Sequence, residues 1–240
     1  MAYWNKTDRR DYGDLGISFD VFYKSSSKEN IEFVQHFFKK LCDKGYIYTQ
    51  VILQSYCENC KKFLPDRYVK GTCPHCGTTD QYSDSCEQCG RTLQPGEILS
   101  PHCAICGSKP TKKESEHYFF KLTQFSDALK KWLTENENLQ PEVKNYVLNW
   151  IREGLRDWDI SRDINWGVPI PLKEAKGKVL YGWFDNHLGY ISTAQKYFEE
   201  KGTDGKKAWN ASKIYHFIGK DIIYHHYLFL PAMRLGEGEY

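Results

Sequence analysis

Four Cys-x-x-Cys pairs constrain this chain more than any other feature: Cys57-Glu-Asn-Cys60, Cys73-Pro-His-Cys76, Cys86-Glu-Gln-Cys89 and Cys103-Ala-Ile-Cys106. They hold eight of the nine cysteines. The spacing lets two thiolates of one tight turn reach a single metal ion, and two such turns complete a tetrahedral four-thiolate site. Gly77, Gly90 and Gly107 directly follow second cysteines, where the chain must curl back with its amides toward sulfur, often at positive φ. A disulfide scaffold and a redox dithiol are the competing readings. The regular pairing in an otherwise thiol-poor chain argues against the first, and the lack of a βαβ pattern around any pair argues against the second. The expectation is two zinc ions, held by Cys57, Cys60, Cys73, Cys76, Cys86, Cys89, Cys103 and Cys106.

Two ions need a pairing rule. The inner pairs, Cys73/Cys76 and Cys86/Cys89, enclose a short loop with Thr78, Thr79, Asp80 and residues 83–85, so they close locally. The outer pairs, Cys57/Cys60 and Cys103/Cys106, then meet around that hairpin. This nested arrangement is favoured, with sequential pairing as the alternative. A segment of this size has little apolar surface, so metal is expected to stabilise it. Closed structural sites are inert, and the block is expected to shape the protein and not to catalyse.

At 240 residues the chain has room for one large domain or two small ones. Its net charge of +2 gives no global signal for nucleic acid, although local basic patches remain open. Hydrophobic residues make up 40% and aromatics 15%, enough for a core. No run approaches the roughly 20 apolar residues that a membrane-spanning helix requires. The opening Met-Ala-Tyr-Trp-Asn-Lys has no hydrophobic signal core. A cytoplasmic location without a membrane partner is expected.

Along the chain, residues 17–23 alternate as a strand. Ser26-Ser27-Lys28-Glu29 reads as a capping box opening a helix with Ile31, Val34, Phe37, Phe38 and Leu41 at helical spacing. Cys42, in this helix, is read as a small buried or half-buried residue. Residues 47–54 form a strand leading into the cysteine block. A charged passage at 109–116 precedes an aromatic strand at 117–122, and 124–133 suits a short helix. Pro141 sits at a first helical position, followed by the stripe Val143, Val147, Trp150, Ile151 and Leu155. Residues 158–163 read as an irregular turn, 179–184 as a strand and 192–200 as a helix. Residues 213–218 read as a strand, 219–221 as a tight turn and 222 onward as a helix. The alternation of strand and helix favours a parallel sheet. The expected class is therefore α/β, with a long insertion.

In open α/β sheets, ligands bind beyond the carboxyl ends of the strands. Two strand ends matter, around Trp183-Phe-Asp-Asn-His-Leu-Gly-Tyr190 and Phe217-Ile-Gly-Lys-Asp-Ile-Ile-Tyr-His-His226. Gly219 allows close backbone approach, and Asp221 can cap a helix or accept ribose hydroxyls. Trp183, Tyr190, Ile222 and His226 would make an apolar, aromatic pocket with a polar rim. The competing reading places the two aromatics in the core and makes Asp221 only a cap. Arg162, flanked by Asp159 and Asp163, is either an ordinary surface ion pair or an inward partner of Asp221.

The chain resembles the methionyl-tRNA synthetases, class I aminoacyl-tRNA synthetases, over nearly its whole length. The residues that carry this are Phe63-Leu-Pro-Asp-Arg-Tyr-Val-Lys-Gly-Thr-Cys-Pro-His-Cys76, Asp159-Ile-Ser-Arg-Asp163 and His216-Phe-Ile-Gly-Lys-Asp221. The Ile-Ser-Arg turn also occurs in the leucine, isoleucine and valine enzymes. The four knuckles are similar to the two-zinc, archaeal-type versions. The resemblance implies a partial Rossmann-type parallel sheet interrupted by a zinc-knuckle connective peptide. On that pattern residues 1–50 and 179–240 are two parts of the catalytic domain, 51–115 the knuckle insertion and 116–178 the largely helical remainder. It implies activation of methionine with ATP and Mg, then transfer to tRNA(Met). By motif matching, Trp183, Tyr190, Ile222 and His226 fall on the methionine pocket, Gly219 and Asp221 on the adenosine and ribose side. Arg162 falls on the residue that pairs with that aspartate near the reacting carboxylate. A polarizable apolar pocket suits a thioether.

Two departures stand out. The family's His-Ile-Gly-His and Lys-Met-Ser-Lys-Ser signatures and its anticodon-binding domain are absent from these residues. A central fragment, inactive alone, is therefore expected. The family usually has Ala-Pro where this chain has Asn186-His187, and whether His187 points into the pocket is left open. The rival function is a zinc-knuckle binding module without catalysis, but the mixed charges of the block suit phosphate poorly.

Overall fold

The computed structural model describes residues 2–83, 86–89, 93 and 96–240, with only the backbone of Ala2, Asp66 and Asp221. Gly90, Asp84 and Ser85, invoked above, lie outside the described residues, as does the side chain of Asp221.

Helix α1 (Ala2–Asp14) takes up the polar opening. Residues 17–23, expected as a strand, are extended chain with no partner strand among the described residues. Their alternation is real, but Ile17, Phe19 and Val21 stay exposed and no sheet edge covers them. Helix α2 (Lys28–Asp43) starts one residue later than the capping box predicts. Ser27 is the cap, its hydroxyl accepting from the Asn30 amide at 3.2 Å. The stripe Val34, Phe37, Phe38 and Leu41 is fully buried.

The strand β1 (Ile47–Cys57) runs outward and β6 (Thr111–Phe120) runs back, from Ile47 opposite Phe120 to Tyr56 opposite Thr111. This two-stranded arm carries the knuckle block at its tip, where β2 (Lys62–Phe63), β3 (Val69–Thr72), β4 (Gln81–Tyr82) and β5 (Leu99–Cys103) lie. The sheet orders are β2-β1-β6 and then β7 (Trp158–Asp159), with β4-β3-β5 separate at the tip. The charged passage 109–116, expected to precede the strand, is largely the outer half of β6.

Past the arm come α3 (Ser126–Glu135) and α4 (Pro141–Glu153), both as expected, with Pro141 at the start of α4. The turn expected at 158–163 contains two short strands, β7 and β8 (Ser161–Arg162). The second pairs with β9 (Val179–Leu180). The expected strand 179–184 is cut short there, because α5 (Gly182–Glu200) already begins at Gly182. A proline at 187 could not donate to the carbonyl four residues back, so it would kink or disfavour a helix running through this point. His187 removes that restriction, and the helix extends back over Trp183.

After α6 (Gly205–Ala211), residues 213–218 are extended but unpaired among the described residues. A tight turn at Lys220–Ile222 follows, then a widened helical turn at His225–Phe229 and α7 (Leu230–Glu237). Pro231 lacks the amide that a regular ladder would require, which fits the widening just before it. Strands and helices do mix as expected of an α/β chain. Among the described residues, however, every pairing is antiparallel. The parallel sheet needs a neighbour for residues 213–218, and no described strand supplies one. One apolar core joins α2, the base of β6, α3, α5 and α7 through Phe37, Phe38, Phe120, Leu129, Phe184 and Met233. No described helix is long and apolar enough to cross a membrane.

Candidate functional site

The eight paired cysteines form two groups, Cys57/Cys60/Cys103/Cys106 and Cys73/Cys76/Cys86/Cys89, each with its four sulfurs within 4.8 Å of one another. This is the nested arrangement. The Sγ separations are 3.4 Å for Cys57–Cys106, 3.6 Å for Cys76–Cys86 and 3.9 Å for Cys73–Cys89. Four sulfurs about 2.3 Å from one ion would stand about 3.8 Å apart at the corners of a tetrahedron, so the donor sets fit. All are free thiols. Knuckle geometry explains the glycines: Gly77 and Gly107 sit at φ 75° and 73°, donating to the carbonyls of Cys73 and Cys103 at 3.0 and 2.8 Å. Lys61 holds the equivalent place after Cys60 at φ 51°, without glycine's freedom. Within each group the thiols are split. The hydroxyls of Ser108 and Thr78 draw Cys106 down to about 5 and Cys76 to about 6, while Cys60, facing Cys106, rises to about 12.

A second constellation gathers where α5 meets the widened turn. The Ile222 carbonyl accepts from His226 Nδ1 at 2.9 Å, which fixes the proton there and leaves Nε2 to accept from the Tyr190 hydroxyl at 3.0 Å. Trp183 lies 4.4 Å from the His225 ring and 5.6 Å from His187, measured between centroids, and His187 is 4.8 Å from His226. Trp183, Tyr190 and His226 thus gather around His187, and Ile222 joins them through its carbonyl. His187 points inward and is 1% exposed. Its Nδ1 donates to the Trp183 carbonyl, while Nε2 has no partner among the described residues. Burial, aided by His226, pulls its pKa down to about 3, so the ring stays neutral. Asp185 is also buried with Oδ1 unpartnered, and burial lifts it to about 6. Beside this cluster opens a cleft of about 680 Å³, lined by His226, His216, Phe217, Trp132, Val143 and Arg234. Trp183, Tyr190 and Ile222 are not in its lining, and neither is His187.

Gly219 is exposed and opens the Lys220–Ile222 turn. Arg162 is half-buried and pairs with Asp159 at 3.1 Å, the first of its two flanking acids. Its Nη1 also donates to the Ser161 and Asp159 carbonyls at 2.6 and 3.3 Å, and its guanidinium lies 4.1 Å from the Tyr181 ring centre. The second acid, Asp163, turns away to His117 and Lys178 at 3.0 and 2.5 Å.

The model of the family described as "tRNA synthetases class I (M)" matches residues 1–240. The chain belongs to the class I methionyl-tRNA synthetase family. Among curated relatives, the methionine–tRNA ligase of Methanobrevibacter smithii is 50% identical over 229 residues, 95% of this chain and 34% of that protein. The ligase of Methanopyrus kandleri is 47% identical over 235 residues, 96% of this chain and 35% of its own length. The chain therefore spans about a third of the curated relatives it matches. A crystal structure of Mycobacterium tuberculosis methionyl-tRNA synthetase bound by methionyl-adenylate aligns with TM-score 0.67 at 23% identity. It covers 97% of this chain and 41% of that one, and at this identity it shows the fold alone: that of a class I Rossmann-type synthetase. The α/β Rossmann-type class thus stands at the level of the family fold, while the parallel pairing itself is not formed among the described residues.

The sequence reading of this synthetase chain missed His117, Ser115 and Lys178, which converge on Asp163 from 15 to 48 positions away. No spacing signal links residues so far apart. Asp185 and His187 were visible inside the motif, but only folding shows that both are buried.

Proposed function

We propose that the chain is the central part of a methionine–tRNA ligase. It contributes part of the site where methionine reacts with ATP, held with Mg, before transfer to tRNA(Met). In this reading residues 1–50 and 179–240 are two parts of the catalytic domain, 51–115 the zinc insertion and 116–178 the rest of the connective peptide. A methionine carboxylate oxygen attacks the α-phosphorus of ATP and pyrophosphate leaves. A terminal tRNA hydroxyl then attacks the activated carbonyl and AMP leaves.

The observation that carries the reading is the Tyr190–His226 hydrogen bond, which joins two remote motif segments around one aromatic cluster. Tyr190, Trp183, Ile222 and His226 would hold the thioether side chain. With Nδ1 committed to Ile222, His226 offers a neutral ring, and burial keeps its pKa below the usual histidine range. An apolar site needs such a neutral partner. Arg162 would face the reacting carboxylate, with Gly219 and Asp221 on the adenosine side. The two cysteine groups would each hold one zinc. Four thiolates close the coordination shell, so the metal supplies structure and no open position for chemistry.

The test is methionine-dependent ATP–pyrophosphate exchange by the full-length protein. Arg162→Ala should lower the rate roughly a hundredfold, as loss of one charge-stabilising donor typically does. His226→Ala should raise the methionine concentration giving half-maximal rate. The 240-residue chain alone should show no exchange. Unchanged kinetics in both variants would contradict the reading.

A further inference from the structure

Asp159, Asp163 and His117 form one line of alternating charge that ends on Arg162. The His117 side chain is fully buried. Its Nδ1 stands 2.8 Å from Asp159 Oδ2 and its Nε2 stands 3.0 Å from Asp163 Oδ2. A neutral imidazole carries one N–H, so one carboxylate would then face a lone pair at contact distance. Both contacts are attractive only when both nitrogens are protonated. Lys178 closes the far end through Asp163 Oδ1 and Ser115, whose hydroxyl donates to Asp163 at 2.6 Å. At the near end Asp159 Oδ2 meets Arg162 Nη1, and Oδ1 accepts from the Ser161 amide at 3.1 Å.

The geometry points to His117 as a positioning residue: its imidazolium holds Asp159 in place and takes up part of its charge, so that Arg162 keeps its orientation and its positive field for the reacting carboxylate. This rests on the role proposed above for Arg162. The order along the line is Lys178, Asp163, His117, Asp159, Arg162: three cations and two anions. The surplus positive charge is available at the Arg162 end. A neutral ring at 117 would leave Asp159 with Arg162 as its sole cationic partner among the described residues, and the two would neutralise each other. The hydrogen bonds and the ion pair that hold Arg162 all use Nη1, which leaves Nη2 and Nε without a hydrogen-bond partner among the described residues. They are the donors a ligand could use. Tyr181 supports the guanidinium from one face.

The line also joins two elements of the fold. His117 and Ser115 sit on β6, the arm that carries the knuckles, while Arg162 sits on β8. The arm therefore sets the position of a site residue without touching substrate.

The direction of the pH effect follows. The two carboxylates outweigh burial and raise the His117 pKa above its usual 6.5. The imidazolium is therefore complete below about 6.5 and is lost as pH rises through the higher folded value. Exchange by the full-length protein should fall on that alkaline limb. His117→Gln should lower the maximal rate about tenfold, leave the half-saturating methionine and ATP concentrations within about twofold, and remove the alkaline limb. A variant that loses thermal stability but keeps the rate and the pH profile would overturn the inference, since His117 would then be only structural. If the variant does not fold, nitrogen-15 spectra of histidine in the parent protein decide: both His117 nitrogens should be protonated at pH 7, and a neutral ring overturns the inference. Arg162→Ala serves as the control. If that variant retains full exchange, the reading of Arg162 has failed, whatever His117 does.

Discussion

Between Cys57 and Cys106 the buried apolar residues among those described are Cys57, Leu64, Val69, Cys73, Cys86, Leu93, Ile98 and Cys103, whereas the body buries Phe37, Phe38, Leu129, Phe184, Leu188 and many more. Four aliphatic side chains in the tip contribute about 1.5–3 kcal/mol each, against an ordering cost that grows with every residue held. The other four of these eight buried positions are themselves sulfur donors. The body follows the usual rule, in which apolar stripes on α2, α3 and α5 meet in one core. In the reading proposed above, metal–thiolate bonds at the two cysteine groups would stand in for that core, so the two regions should respond to different insults. The β1–β6 arm connects them, and its outer half exposes Val51 and Leu53.

The sharpest way to break this comparison is to remove one ligand and one core residue separately. Cys73→Ser should reduce bound zinc from two ions to one and unfold the inner loop, because the apparent binding energy of a structural zinc is about 10–16 kcal/mol. Leu129→Ala, at a fully buried body position, should cost about 2–5 kcal/mol while retaining both ions. Cys42→Ser, which removes no sulfur donor, should change the metal content not at all. Elemental analysis with thermal melts distinguishes the three. Two ions in Cys73→Ser would show that the tip does not need its four thiolates.

Legibility from sequence divides along the same line. The knuckles were readable because Cys-x-x-Cys spacing is itself the coordination chemistry, and even the nested pairing followed from loop length. Helices α2 and α4 were readable because one face of each is buried. The outer half of β6 was not: Lys112, Lys113 and Glu114 are exposed, so no alternation marks them. The strands expected at 17–23 and 213–218 show the converse failure. Both have strand-like residues, yet a strand requires a neighbouring edge, which no local pattern can reveal. The start of α5 was missed as well: a strand was expected over 179–184 and a helix over 192–200, whereas the helix begins at Gly182. In the site, Tyr190 and His226 were found through their motif. The Asp163–His117–Asp159 line was invisible, since His117 lies more than forty residues from both acids.

A smaller effect sharpens the comparison inside the body. The ring of His187 fills the middle of the aromatic cluster and brings an unpaired nitrogen into apolar surroundings. We expect weaker methionine recognition as a result. Asn186→Ala with His187→Pro in the full-length protein should move the start of α5 later and lower the half-saturating methionine concentration, by roughly tenfold if the cluster reopens. Zinc content should stay at two, because the change lies in the body. An unchanged or higher concentration would mean that His187 is neutral or adaptive at this position.

Amide hydrogen exchange before and after chelation tests the central claim most directly, because it reads both regions in one sample. With metal bound, amides in β3, β5 and the knuckle turns should be protected along with those of α2, α3 and α5. After removal of metal, protection between residues 57 and 106 should collapse, while that around Phe37, Leu129 and Leu188 persists. Simultaneous loss in both regions, or protection of the tip without metal, would contradict the division between a metal-built tip and an apolar-built body.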